Sequence, residues 1–460
     1  MRQPSVLVYF RNDQPVKMMK RDFRRFMVAH KSPRDADGTL YKGAVALGNG
    51  GHLGEKIALE EVEFARKNRI GADTFWLDAG WYGPPRKADL SQPCGGWQHW
   101  YENVGDWRVN PVLYPSGNFR RISDAARPAS MRFLLWFDIE RCVTKAPVYA
   151  EHPEYFFKPV DPQNISRLIN LGDQAAWHWV FDTVSTQIVL SGVDCFREDF
   201  NITAAAEKTW RINDAPDRIG VSEAKYIAGL YRLWDHLKER FPHLRFDCCA
   251  SGGRRLDFEA VSRCHVYAVD DLTDDQILPE MMQNITANII NYIPFHCSCA
   301  NAETLFDRYN RVSYISSATQ LSMQRYGFGQ TEFNGKYVQA LKWACEQGTR
   351  IRDILAAGDY YLLTGYARDS KAWHVWQGDD PDSGRGVLVA FRRRKAENAE
   401  CMVVLENIDS KAEYTLEYGD ASPRKISGAE LVNFTISLED KGSCVIAYYC
   451  KLRQAFSGKG

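Results

Sequence analysis

The chain has 460 residues, 45% of them hydrophobic and 25% charged, enough to bury a large core and to form two or three domains. Lysine plus arginine equals aspartate plus glutamate at 58 each, which excludes the basic footprint of a nucleic-acid binder and an acidic tail. No apolar run approaches the roughly 18 residues of a membrane span, and the start MRQPSVLVYFRND lacks the basic, apolar and small-residue order of a signal peptide.

Residues 1–40 read as an N-terminal extension. From about residue 42 to 320, short β-like runs alternate with helical periods, the pattern of a parallel sheet joined by crossover helices. The predicted strands are KGAVALG (42–48), DTFWLD (73–78), RFLLWFD (132–138), GVDCF (192–196), LRFDCC (244–249), CHVYAV (264–269), INYIPF (290–295) and VSYIS (312–316). Apolar residues at helical spacing fall between them: Ala58, Val62 and Ala65; Trp177, Phe181, Val184 and Ile188; Tyr226, Leu230, Leu233 and Leu237. Asp173 stands where an N-cap of the second of these helices belongs. Eight strands with crossovers predict an α/β (β/α)8 barrel over 41–371, with a rim insertion at roughly 80–130 rich in Gly, Pro and Trp. After a helical stretch at about 336–355, the runs WHVWQ, GVLVAFRRR, ECMVVLEN, AEYTLEY and SCVIAYY predict a small antiparallel β-sandwich over 372–452. Residues 453–460 read as a disordered tail.

Twelve cysteines follow no framework spacing, which suits reduced thiols and a cytoplasmic location. Adjacent Cys248 and Cys249, and Cys297 with Cys299, lack the CxxC and histidine partners of a zinc site and read as buried thiols. The sequons at Asn164, Asn201, Asn284 and Asn433 carry no weight without a secretion signal.

In a barrel the reactive face lies at the C-terminal ends of the strands. There the sequence places Asp78, then Asp138 and Glu140, then Glu198 and Asp199, then Cys249-Ala-Ser-Gly-Gly253, then Asp270 and Asp271. A single acidic residue after a strand is commonly an N-cap or a surface charge. Four strands ending this way are harder to explain so, because gathered carboxylates repel unless a ligand or a reaction uses them. A hard-cation site accepts carboxylates alone, whereas here aromatics crowd the same segments, Trp76, Trp81, Trp97, Trp100, Trp107 and Trp136 among them. Aromatic faces beside carboxylates favour a sugar. Retaining glycoside hydrolysis needs one carboxylate kept ionised and a second kept protonated about 5 Å away. Arg197, two residues before Asp199, points the same way on a strand and can hold that carboxylate charged.

The segments LDAGWYG (77–83), LLWFDIER (134–141), LINLGD (168–173), CFREDFN (195–201), CCASGGRRLD (248–257) and VDDLTD (269–274) resemble, in order, the motifs of glycoside hydrolase family 36. GDYYLLTGY (358–366) and WQGDDPDSGRGVLVAFRR (376–393) extend the likeness, so that it covers the chain from about residue 24 onward. The resemblance implies a retaining α-galactosidase or α-N-acetylgalactosaminidase on a (β/α)8 barrel with a C-terminal β domain, acting without metal or other cofactor. It implies Asp199 as nucleophile and Asp271 as general acid/base, Asp270 being the adjacent alternative and Thr273-Asp274 favouring Asp271. Asp78, Trp136, Arg197 and Cys249 fall on sugar-contacting positions, and Trp81 is assigned to substrate binding with them. On residue type alone, Trp136 is equally a core aromatic and Cys249 a packed thiol. Transglycosylation and sugar binding without turnover are the rival readings. The implied partner is a carbohydrate, with no nucleic acid or membrane; self-association into a homo-oligomer is left open.

Three departures stand out. Ala79 replaces the second of two adjacent aspartates, Val269-Asp270 replaces R-S or T-S, and Cys248 replaces an asparagine. Members of the family also carry a large N-terminal β domain, of which residues 1–40 are expected to be the remnant.

Overall fold

The structure, a computed structural model, describes residues 15–88, 100–201, 206–269, 279–297, 299–300, 305–323 and 335–452. Among the described residues, eight parallel staves close a barrel, the seventh made of two short strands: β1 (Val45–Asn49), β2 (Thr74–Leu77), β3 (Arg132–Phe137), β4 (Cys195–Glu198), β5 (Arg245–Cys248), β6 (Val266–Ala268), β7 (His296–Cys297 with Cys299–Ala300) and β8 (Thr319–Ser322). Closure is direct. The first half of β7 pairs with β6, its second half with β8, and β8 pairs with β1 in the register Val45↔Thr319 to Gly48↔Ser322.

Because a parallel barrel buries both faces of each stave, apolar runs mark most of them. One face packs outward against the helices, as Leu47, Phe75, Phe133, Phe196, Phe246 and Tyr267 do. The other fills the interior with small residues, Ala46, Ala268, Cys297 and Ala318, and with Trp76, Leu134, Cys195 and Cys299. Gly48 continues the inward row of β1, and a β-carbon on it would stand 2.2 Å from the carbonyl oxygen of Trp76. Gly48→Ala is therefore expected to cost about 1–3 kcal/mol, through displacement of Trp76 and the strand that carries it. Thermal unfolding of the variant checks this.

Six of the predicted strands overlap observed staves. The last two differ. INYIPF (290–295) is the turn that follows the helix Pro279–Ile289, with the strand starting only at His296; VSYIS (312–316) begins inside the helix Arg308–Ser313, and the eighth stave is TQLS. TQLS looks polar because its inward residues are Gln320 and Ser322, an exception that the site below explains. The predicted helices form at Glu55–Asn68, Gln174–Ser191 and Val221–Arg240, and Asp173 caps the second by accepting from the amides of Ala175 and Ala176.

Within the N-terminal extension, expected as the remnant of a β domain, Val16–His30 is a helix. It is tied down by buried Arg24, which donates to the carbonyls of Ile290 and Leu355 and to that of Gly358. Beyond the barrel, a six-stranded antiparallel sheet runs from Asp359 to Lys451, and a two-stranded sheet pairs Glu400–Val404 with Asn433–Ser437. The strand Arg385–Arg392 shows the period of two: Leu388 and Ala390 pack with Val403 and Ile436, whereas Val387, Val389 and Phe391 pack with Tyr309, Ile351 and Ile354 of the barrel helices.

Candidate active site

Strand alternation decides what the segment CFREDFN does. Cys195, Arg197 and Asp199 face the barrel interior, whereas Glu198 faces the helices. The guanidinium of Arg197 donates to Asp247 Oδ1 at 3.0 Å and to Gln320 Oε1 at 3.3 Å, and Gln320 donates in turn to Asp247 Oδ2 at 2.9 Å. It also lies over the ring of Trp76, 5.3 Å from its centre, with Nε 3.9 Å from Asp78 Oδ2. That Nε has no hydrogen-bond partner among the described residues. An arginine, an aspartate and a glutamine thus form a polar layer on the barrel axis, below the groups at the strand ends.

Above it stands Asp199, 7% exposed. Its Oδ1 accepts from the amides of Phe200 at 2.7 Å and Ser251 at 2.9 Å, and its Oδ2 accepts from the indole N–H of Trp136 at 3.3 Å. Ser251 takes a left-handed conformation, φ 46°, and Gly252 follows at φ +83°. That turn aims the Ser251 amide at Asp199, and the Ser251 hydroxyl fastens it by donating to Phe200 O and Asn201 Oδ1. Asn201 donates onward to Asp138 Oδ2. Burial pushes the Asp199 carboxyl up, but Asn201, the Ser251 amide, Arg197 and the Cys249 thiol together outweigh it and hold the group below the ordinary aspartate range.

Asp78 is treated oppositely. Burial pushes it up to about 6, against the pull of Arg197, the Ala79 amide and the Trp76 indole N–H. Burial likewise raises Asp138 to about 6, although Arg141 donates to it at 2.6 Å within the barrel rim. Two neighbouring aspartates at such different values recur where acid and base roles divide.

On the outward side, Glu198 accepts from Trp234, Glu140 accepts from Tyr226, and Arg255 pairs with both carboxylates, with Glu198 Oε1 at 3.6 Å. Burial first, and then the Glu140 carboxyl, drive the Glu198 carboxyl well above its ordinary range. One arginine thus serves two buried acids directly behind Asp199, and it belongs to the same loop as Ser251.

The expected site residues therefore separate. Asp78, Trp136, Arg197, Asp199 and Cys249 come together around the C-terminal mouth of the barrel; Cys249 is 1% exposed and packs with Ala46, Ala268 and Cys297 on the interior side. Trp81 does not join them. It is fully buried, donates its indole N–H to the carbonyl of Trp136 and meets Tyr82, Phe119 and Phe137 edge-on, so it braces β3 from behind. Ala79 packs in the outer core and gives the site only its amide. Asp270 and Asp271 lie outside the described residues, as does Trp97. Nothing in the sequence marks Asp247 or Gln320 for the site, Asn201 stands out only as a sequon and Ser251 only within the loop after β5; for Asp247, the signal is a charged residue in mid-strand of LRFDCC. Among the described residues no group of three His, Cys, Asp or Glu is placed to hold a metal ion.

The melibiase family model matches residues 58–292, which contain five of the eight staves complete and end just before β7 starts with all of β6 included. α-Galactosidase 1 of Pediococcus pentosaceus is 23% identical over 329 residues, 70% of this chain and 42% of that protein. α-Galactosidase AgaA of Geobacillus stearothermophilus is 23% identical over 399 residues, 84% of this chain and 50% of that protein. The chain thus spans about half the length of the curated relatives it matches. In structure it resembles a variant of the same AgaA in complex with stachyose, with a TM-score of 0.76 at 17% identity, over 96% of this chain and 60% of that one. A maltogenic α-amylase of Thermotoga neapolitana shares the fold at a TM-score of 0.61 and 9% identity, over 89% of this chain and 99% of that one. Such likenesses establish the fold; the chemistry has to come from the site.

Proposed function

The chain belongs to the melibiase family, the glycoside hydrolase family 36 that its motifs resemble, and from that premise we propose that it hydrolyses terminal α-galactosides with retention of configuration. Asp199 attacks the anomeric carbon and forms a glycosyl ester, and Asp271 protonates the departing oxygen and then activates water. The observation that carries the reading is the Asp199 carboxylate itself. It is buried on the barrel axis yet held ionised by three N–H donors and a nearby arginine, as a nucleophile at neutral pH requires. Asp78 and Arg197 Nε, 3.9 Å apart and the latter without a partner among the described residues, suit a sugar hydroxyl that would bridge them. The stachyose and raffinose held by structurally similar AgaA variants support an α-galactoside as the substrate class. We assign the chain to a reducing cytoplasm, which the scattered, framework-free spacing of its cysteines suits.

Proton NMR of the reaction with p-nitrophenyl α-galactoside tests the reading. α-Galactose as the first-formed anomer supports it; β-galactose first, or no turnover, overturns it.

The pH dependence follows from the two aspartates. As pH falls through about 6, Asp78 takes a proton and gives up a charge-assisted hydrogen bond worth about 1.5–3 kcal/mol. KM should then rise by about tenfold or more. kcat holds to lower pH, because Asp199 stays ionised below the usual aspartate range. Separate pH profiles of kcat and KM check this, and Asp78→Asn should remove the step in KM.

A further inference from the structure

Arg141 opens the short strand that follows β3, three residues after Asp138, and both side chains are fully buried. A charge so placed needs partners. Arg141 Nε donates to Asp138 Oδ2 at 2.6 Å, but neither terminal nitrogen of the guanidinium, nor Asp138 Oδ1, has a hydrogen-bond partner among the described residues. The guanidinium lies over the ring of Tyr101, 4.2 Å from its centre, and 5.6 Å from the centre of Trp100. For stability alone the pair is a poor choice, since apolar groups of similar volume commonly replace a buried ion pair without loss. Its contacts lead instead to the nucleophile.

Two arms run from the pair to Asp199. Along the first, Asn201 Nδ2 donates to Asp138 Oδ2 at 3.2 Å, the Ser251 hydroxyl donates to Asn201 Oδ1 at 2.8 Å, and the Ser251 amide donates to Asp199 Oδ1 at 2.9 Å. Along the second, Trp100 meets Trp136 edge-on at 5.7 Å, and the Trp136 indole N–H donates to Asp199 Oδ2 at 3.3 Å. Tyr82 braces this second arm: its ring stacks on Trp136 at 6.1 Å and its hydroxyl donates to the Trp100 carbonyl at 3.0 Å. Each oxygen of the carboxylate thus has a donor whose support goes back to Arg141 and Asp138.

The groups that face Asp138 are Arg141, Asn201, Asp199 and the Tyr82 hydroxyl. Those that face Asp199 are Asn201, Arg197 and the Cys249 thiol, with Asp78, Asp138 and Asp247 as like charges. Burial pushes Asp138 up to about 6, yet the first arm does not depend on its charge. A proton taken by Oδ1 leaves both bonds to Oδ2 in place.

We propose that Arg141 and Asp138 are a positioning pair that holds both oxygens of the Asp199 carboxylate in the attacking orientation, and that couples the rim residues Trp100 and Tyr101 to the nucleophile. The inference rests on the α-galactosidase reading and adds to it two residues that act through others rather than on the sugar.

The double variant Arg141→Met/Asp138→Asn removes the pair without leaving either charge alone, and Tyr101→Leu, which changes no charge, loosens the second arm by itself. With p-nitrophenyl α-galactoside, the double variant is expected to lose about tenfold or more in kcat, with KM little changed because Asp78 and Arg197 lie outside both arms. A carbon-13 NMR titration of aspartate carboxyls, with the Asp199 signal identified by Asp199→Asn, reads the nucleophile without turnover. The Asp199 titration should move up by about one pH unit in the double variant and by about half a unit in Tyr101→Leu, as donors to the carboxylate lose alignment. A role confined to stability would lower the unfolding temperature and leave that titration in place. An upward shift in either variant supports the proposal, and Tyr101→Leu decides it alone if the double variant does not fold. An Asp199 titration unchanged in both variants, or a double variant that folds and keeps its kcat, overturns it. Where the unmodified protein hydrolyses no α-galactoside, the catalytic reading fails, and the titration still decides whether the pair holds Asp199.

Discussion

Asp199→Ala is expected to lower the hydrolysis of p-nitrophenyl α-galactoside by at least about 10⁴-fold, the scale seen when a nucleophile is removed from a site whose other parts remain. The loss falls on kcat, since Trp136, Asp78 and Arg197 are still present to bind the sugar. Azide should restore part of the rate. With the carboxylate gone, a small anion can attack from the vacated side, the bond to the leaving oxygen breaks, and the product is β-galactosyl azide. Activity measured with and without azide, together with the anomeric identity of the azide, checks the prediction. Turnover retained in the alanine variant would remove Asp199 from the reaction.

The second large effect is on stability. Arg255→Gln is expected to cost about 3–5 kcal/mol, because it leaves Glu140 and Glu198, both essentially inaccessible to solvent, without their shared counter-charge. The cost depends on pH in a definite direction. Glu198 titrates in the folded protein well above its unfolded value, so the stability linked to its proton is complete below the unfolded value near pH 4 and is lost as pH rises through the folded one. Arg255 offsets part of that loss, so its removal should cost least in acid and most at neutral and alkaline pH. Urea unfolding midpoints of the variant at pH 5 and pH 8 read this difference. The double variant Arg255→Gln/Glu198→Gln has one buried acid fewer and should be more stable than the single one.

The sequence disclosed most where two rules agreed. β2 to β6 carry β-branched, aromatic or cysteine-rich runs and end in the residues a barrel uses, so both the strand and its rim residue could be read together. β8 could not be read that way. TQLS carries Gln320 inward to hold Asp247, and a stave whose inner face serves a polar layer loses the apolar signature that identifies a buried strand. Asp247 was hidden for the converse reason: it lies within an apolar run, and nothing local shows that its partner stands 50 residues earlier at Arg197. Trp81 shows the limit of residue type. An aromatic in a motif beside a sugar-binding aspartate could face a ligand or the core, and only the hydrogen bond to the Trp136 carbonyl and the ring of edge-on aromatics decide for the core. The role of Ser251 depends on a left-handed backbone conformation that serine seldom adopts, and no periodicity announces it.

The central claim is that Asp199 forms a covalent bond to the sugar. A slow-turnover fluorinated α-galactosyl fluoride, followed by proteolysis and mass spectrometry, tests it directly. The account predicts one glycosylated peptide, with the label on Asp199 of CFREDFN; a label on any other residue, or hydrolysis of the probe with no labelled peptide, would contradict it.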